Sequence, residues 1–315
     1  MKDHAQQQQA KFSDKHLTAD GQTRASVSLN RPETLWFNTG TLCNITCSNC
    51  YIESSPTNDA LVYLTKSDVE GFLDQLEVRN WNVREIGITG GEPFMNPEII
   101  DILRVSLERG YDLLVLTNAM LPMMRPRIRE GLTKLQLDFP GKLTMRVSLD
   151  HHSTDIHDAE RGKGSFDRTL SGMKWLRDQG FNMAVAGRIA FAESEESARN
   201  GYARLYAEHS FAIDAQNSGQ TVLFPEMDIQ VKVPEITTSC WGILNKSPDA
   251  VMCSSSRMVV KRKGQSHPVV LACTLIAYDK QFEMGATLED AEADVFLNHP
   301  HCAKFCVLGG ASCSA

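Results

Sequence analysis

The sequence predicts an α/β protein: a partial (β/α)6 barrel followed by a small C-terminal hairpin and cysteine-rich segment. Three observations predict it. Short apolar runs alternate with amphipathic stretches from about residue 34 to 233, the pattern of parallel βαβ units. Five or six such units suit an open barrel better than a complete one of eight. The rhythm stops near residue 234, beyond which six of the nine cysteines lie.

Residues 1–30 are polar, carry a glutamine run at Gln6–Gln9 and show no apolar period. They read as a mobile tail. The first strand, 34–40, leads into a cysteine loop. A helix follows at 66–80, with Thr65 as N-cap and Val69, Phe72, Leu73 and Leu76 on one face. Glu85–Thr89 is the second strand and ends in Gly90-Gly91-Glu92-Pro93. Asn96 and Pro97 open a helix that Gly110 stops. Asp112–Thr117 is a strand running into Asn118, and a helix is expected over 125–137. Leu143–Leu149 is a strand ending at Asp150, and Ser165 starts a helix that Gly180 ends. Met183–Phe191 is the fifth strand, Ser197–His209 a helix, and Asp228–Val233 a weaker sixth strand. Arg257–Lys261 and Val269–Cys273 then form a hairpin. The expected division is therefore a tail at 1–30, a barrel at 31–233 and a small second domain at 234–315.

The net charge of −7 argues against a nucleic-acid-binding surface as a property of the whole protein. No apolar run approaches the roughly 20 residues that cross a bilayer, and the polar N-terminus lacks the core of a signal peptide. A cytoplasmic location is expected, where thiols stay reduced. Three early and six late cysteines then point to metal.

Cys43, Cys47 and Cys50 have C-x3-C-x2-C spacing on one loop, and the next cysteine is Cys240. A closed [4Fe–4S] cluster needs four thiolates, so a local set of three implies one iron open to a non-protein ligand. Zinc is the alternative reading of the triplet. In Gly90-Gly91-Glu92-Pro93 the glycines let backbone approach a small ligand. Glu92 offers a carboxylate to an ammonium, and Pro93 stiffens the exit.

The triplet and the glycine–glutamate motif together resemble the radical S-adenosylmethionine (SAM) superfamily. The resemblance implies a TIM-like partial barrel with a [4Fe–4S] cluster on Cys43, Cys47 and Cys50, SAM on the open iron, and the methionyl amino group at Gly90–Pro93. A further match, Val147-Ser148-Leu149-Asp150 through Arg161-Gly162-Lys163-Gly164, is similar to members with auxiliary clusters (SPASM and twitch). It implies Ser148 near the SAM ribose, Arg161 on the SAM carboxylate, where a planar fork suits, and Asp150 facing substrate as a catalytic carboxylate. Asn118 matches a strand-end position that bonds SAM. His151, His152 and His157 read as loop polars.

The late cysteines Cys253, Cys273, Cys302, Cys306 and Cys313 resemble an auxiliary-cluster domain. One [4Fe–4S] cluster on four of them is expected, with Cys240 spare or at an open site, and structural zinc the alternative. The sequence departs from the pattern at Asn49, where an aromatic is usual and Tyr51 stands next to the third cysteine. Gly264 lies nine residues before Cys273, and the tail has C-x3-C. The expected activity is generation of a 5′-deoxyadenosyl radical for a net oxidation or epimerisation, fed by a flavodoxin- or ferredoxin-like electron donor. The tail is short for a leader-peptide-binding domain, which tips the reading slightly to a small substrate. A peptide maturase is the alternative, and a non-catalytic iron–sulfur or zinc protein is the competing class.

Overall fold

The computed structural model describes residues 11–79, 81–190, 193–224 and 232–309. Its strands are β1 Ser26–Val27, β2 Thr34–Asn38, β3 Glu85–Thr89, β4 Asp112–Thr117, β5 Leu143–Ser148, β6 Asn182–Arg188 and β7 Thr221–Phe224. After them come β8 Ser256–Val260, β9 Val269–Leu271, β10 Glu283–Gly285 and β11 Val295–Phe296. The helices are α1 Lys66–Arg79, α2 Ile99–Glu108, α3 Leu121–Met124, α4 Pro126–Asp138, α5 Thr154–Arg161, α6 Ser165–Asp178, α7 Glu195–Glu208 and α8 Cys240–Leu244.

Strands β2 to β7 lie side by side in chain order and all pair in parallel. This is the six-stranded partial barrel the alternation predicts. The helices bury the predicted faces, Val69, Phe72, Leu73 and Leu76 of α1 among them, against the outer side of the sheet. Inside, bulk is matched to space: Gly87 on β3 lies opposite Trp36 on β2, and a Cβ there would sit 2.4 Å from the indole. A glycine inside a strand marks such a close approach.

Three expectations are corrected. The sixth strand is Thr221–Phe224, and of the predicted 228–233 all but Lys232 and Val233 lie outside the described residues. The C-terminal hairpin is not a detached unit: β8 pairs in parallel with β2, Thr34 to Ser256 through Phe37 to Val259. The nine-stranded sheet therefore continues past β2 into β8, β9 and β10. Residues 11–30 are no tail. Phe12, Ala25 and Val27 are buried with Val251, Cys253, Ala272, Phe282 and Leu297 in a second core, and β1 pairs with β11. Arg24, fully buried, holds this segment by an ion pair to Glu235 at 2.6 Å and by donating to the carbonyls of Leu17 and Leu297.

Candidate active site and a second cysteine cavity

The loop after β2 carries Cys43, Cys47 and Cys50, and its backbone is zipped to the turn after β3. Gly91 N–H donates to the Gly40 carbonyl at 2.8 Å and Glu92 N–H to Leu42 at 3.1 Å. Neither glycine tolerates a side chain. Gly90 has φ of +142°, and a Cβ on Gly91 would lie 2.2 Å from the Leu42 oxygen. The other flank of the loop docks on α5 and β6. Asn49 donates to the Glu160 carboxylate at 3.0 Å, and Arg188 donates to the Asn49 carbonyl at 2.6 Å.

All three thiols line one cavity of about 1100 Å³ of empty space, open mouth included, with Gly90, Gly91, Asn118, Ser148, Asp150 and Arg161 in its walls. These come from the C-terminal ends of four successive strands and from α5, where parallel α/β folds gather function. Burial pushes the Cys43 thiol up to about 12 and raises Cys47 as well, so thiolates here require a cationic partner such as iron. Among the described residues no fourth cysteine lines the cavity. Three buried donors on its wall, Trp36 Nε1, Asn38 Nδ2 and Arg188 Nη1, have no hydrogen-bond partner among the described residues. Such atoms call for a ligand rich in acceptors. The donor set fits a cluster with one open iron and a carboxylate-bearing ligand beside it.

Glu92 and Pro93 are not in the wall. The Glu92 carboxylate, fully buried, accepts from Thr117 Oγ1 at 2.9 Å, Asn118 N–H at 2.9 Å and Phe94 N–H at 3.2 Å. Its pKa rises to about 7 because burial disfavours the charge. These bonds tie the turn to the end of β4. Beyond that tie the chain turns sharply: Ala119 has φ of +56°, a strained conformation for a side-chain-bearing residue. It is pinned because Gly172 of α6 lets the Ala119 carbonyl in to where a Cβ would be 1.9 Å away, and Thr169 donates to the Asn118 carbonyl at 3.1 Å. Asn118 then reaches Asn44 at 2.9 Å.

Asp150 is held between two guanidiniums, Arg161 at 2.7 and 3.2 Å and Arg188 at 3.3 Å. Burial would raise its pKa, but the Arg161 charge and hydrogen bonds, with Arg188 beside them, keep it below the usual carboxylate range. A carboxylate so held is a poor proton acceptor; from the cavity wall Asp150 places the two arginines and presents charge to whatever binds there. Arg161 is set in turn by the polar helix α5, whose Asp158 wraps the start of α6 by accepting from Gly164 and Phe166 N–H at 2.6 and 2.9 Å. Arg188, at the end of β6, went unread in the sequence because no motif surrounds it.

Cys253, Cys273, Cys302 and Cys306 line a second, apolar cavity of about 370 Å³. Buried Arg257 shapes its edge by donating to the carbonyls of Cys253 and Ala291. Cys240 is not in its wall and accepts from Thr237 N–H at 3.4 Å. Cys313 lies outside the described residues. Leu275 lines both cavities. An edge-to-face stack, Tyr51 on Phe305 at 5.6 Å and Phe305 on His301 at 5.4 Å, runs from the first wall to the second.

A cysteine triplet and a glycine cradle at the strand ends of a partial barrel define a cluster enzyme with an organic co-ligand. Residues 37–195 match the radical SAM superfamily, and the chain belongs to that family, whose cofactors are a [4Fe–4S] cluster and SAM. It is 34% identical over 145 residues to the antilisterial bacteriocin subtilosin biosynthesis protein AlbA of Bacillus subtilis (strain 168), covering 46% of this chain and 30% of AlbA. It is 30% identical over 155 residues to the AdoMet-dependent heme synthase of Methanosarcina barkeri, covering 49% of this chain and 42% of that one. The matches thus span less than half of these relatives. In fold it is similar to Streptococcus suis SuiB bound to S-adenosylmethionine, with TM-score 0.58 at 15% identity, over 90% of this chain and 67% of that one. It is also similar to anSMEcpe with bound AdoMet, with TM-score 0.58 at 14% identity, over 82% of this chain and 77% of that one. Among the described residues no helix is long and apolar enough to cross a membrane.

Proposed function

We propose that this protein is a radical SAM enzyme that oxidises a peptide substrate, with Cys43, Cys47 and Cys50 holding the catalytic cluster and Cys253, Cys273, Cys302 and Cys306 an auxiliary one. The observation that carries the reading is that those four late cysteines line one small apolar cavity whose wall the first site shares at Leu275. When bound, the cluster and SAM supply a 5′-deoxyadenosyl radical that abstracts hydrogen from substrate, and an auxiliary cluster supplies a one-electron acceptor. The protein's own part is placement. Gly90 and Gly91 offer backbone to the SAM amino group, Arg161 and Arg188 offer guanidinium to its carboxylate, and Ser148 and Asn118 line the adenosyl side. Trp36, Leu116 and Phe224 keep water from the reacting end.

The peptide substrate is supported by relatives: AlbA is named for bacteriocin biosynthesis, and SuiB and anSMEcpe have been solved with peptides bound. The sequence leaned to a small molecule on the length of the tail. Residues 11–30 are part of the second core and not a tail, and the peptide reading rests on the relatives. A flavodoxin- or ferredoxin-like donor would supply the first electron. The test is anaerobic reconstitution of the Cys43/Cys47/Cys50 triple alanine variant. It is expected to retain iron with a [4Fe–4S] Mössbauer signature and to form no 5′-deoxyadenosine with dithionite and SAM. A triple variant without iron overturns the auxiliary cluster. Wild-type protein that forms no more 5′-deoxyadenosine than this variant overturns SAM cleavage.

A further inference from the structure

Outside both cysteine cavities, two imidazoles and a carboxylate meet at the mouth of the barrel. His151 and His152 follow Asp150 after β5, and Glu193 stands just before α7. His151 Nε2 lies 3.0 Å from one Glu193 oxygen and His152 Nε2 lies 3.2 Å from the other. The three ligand atoms fall within 4.8 Å of one another. The rings lie 4.0 Å apart at 34°, and both Nε2 atoms face the one carboxylate.

The place is built for this. Gly201 sits within α7, where glycine costs about 1 kcal/mol against alanine, and a Cβ on it would lie 2.2 Å from His152 Nε2. The helix therefore carries a glycine where the imidazole needs the space. Tyr202 closes the other side, edge-on to His152 at 5.6 Å, and its hydroxyl donates to the Leu149 carbonyl at 2.7 Å. His151 is buried, and its second nitrogen, Nδ1, lies 2.8 Å from Ser153 Oγ.

We propose that His151, His152 and Glu193 bind a divalent cation of borderline softness, zinc or ferrous iron, as a staple between the loop after β5 and the start of α7. Two imidazoles and a carboxylate suit such an ion. Without metal, Ser153 N–H donates to Nδ1 at 3.0 Å, which puts the proton on Nε2 facing Glu193. Binding requires that proton on Nδ1, with Ser153 Oγ accepting it and the Ser153 N–H turned away, which frees Nε2 for the ion. The neighbouring Asp150 makes the staple a brace for Arg161 and Arg188, so the site positions residues and does not itself react.

The experiment uses anaerobic, cluster-loaded protein dialysed against zinc, with iron measured in parallel to show that the thiols keep their clusters. One zinc beyond background is expected, with an X-ray absorption spectrum showing imidazole scattering and no sulfur neighbour. Ser153→Ala is expected to weaken binding roughly 10–100-fold, as loss of an outer partner does, and Glu193→Gln by more. No added zinc in wild type, a sulfur-ligated zinc, or equal zinc in wild type and Glu193→Gln each overturns the proposal. The absorption spectrum is read on wild type, so the outcome does not depend on how the variants fold.

Discussion

Glu92 is the residue whose motif is most suggestive and whose side chain is least available. Its carboxylate is spent on Thr117, Asn118 and Phe94, and a glutamine can accept from Asn118 and donate to Thr117, losing only the longer bond from Phe94 N–H inside the turn. Glu92→Gln is therefore expected to bind SAM within about threefold of wild type by equilibrium dialysis. A direct carboxylate–ammonium contact would instead cost about 1.5–3 kcal/mol, a loss of tenfold or more. Asp150 is the opposite case. Asp150→Asn strands two buried guanidiniums, and breaking such a pair costs about 3–5 kcal/mol. A large fall in melting temperature and in iron retention is expected, with no change in the pH profile of the residual activity.

Helices α5 and α6 decide where the arginine and asparagine of the site stand. Gly172→Ala places a methyl in the path of the Ala119 carbonyl, and overpacking of this kind costs about 1–3 kcal/mol. Its melting temperature should drop and its SAM affinity should fall with the displaced Asn118. On α5, His157 is fully buried with neither ring nitrogen bonded among the described residues, and burial drives its pKa down to about 4. The unfolded chain, near 6.5, binds the proton first, so stability is full above pH 6.5 and falls as pH drops toward 4. Between pH 6.5 and 5 the loss from this group is roughly 2 kcal/mol. His157→Phe should flatten that part of a urea-midpoint titration. A parallel slope in wild type and variant would show that His157 is not the source. Most strands were legible to within a residue or two because runs such as Asp112–Thr117 are apolar, and buried on both faces they need no alternation. Helix α5 was not, since Thr-Asp-Ile-His-Asp-Ala-Glu-Arg buries one residue, His157, and so shows no stripe. β7 was misplaced because four residues give too short a period to register. The cysteines of the first site stood together in sequence, whereas Arg188 ends β6 and the pair of histidines and Glu193 lie in separate loops, and only the fold brings them to the site.

At the scale of the molecule, the two ends of the chain make one core around the second cysteine cavity. Phe12, Ala25 and Val27 pack there from one end, and Val295, Leu297 and Cys302 from the other. Spacing arguments could not see this, because the contacts join polar-looking segments far apart in sequence. Removing residues 1–30 is accordingly expected to lower iron content at the four late cysteines while the first cluster persists, measured by iron per chain in the presence and absence of the Cys43/Cys47/Cys50 triple substitution. Equal iron in full-length and shortened chains of the triple variant would refute this.

The pairing of β2 with β8 joins Thr34 to Ser256, a separation of 222 residues by subtraction. At roughly 5–20 residues per second of synthesis, β2 waits about 10–45 s on the ribosome before its second neighbour exists. Through that interval the strand leading into Cys43, Cys47 and Cys50 has one open edge, a surface that invites pairing with other chains. Expression yield should therefore depend on how fast residues 34–256 are translated and on what shields that edge meanwhile.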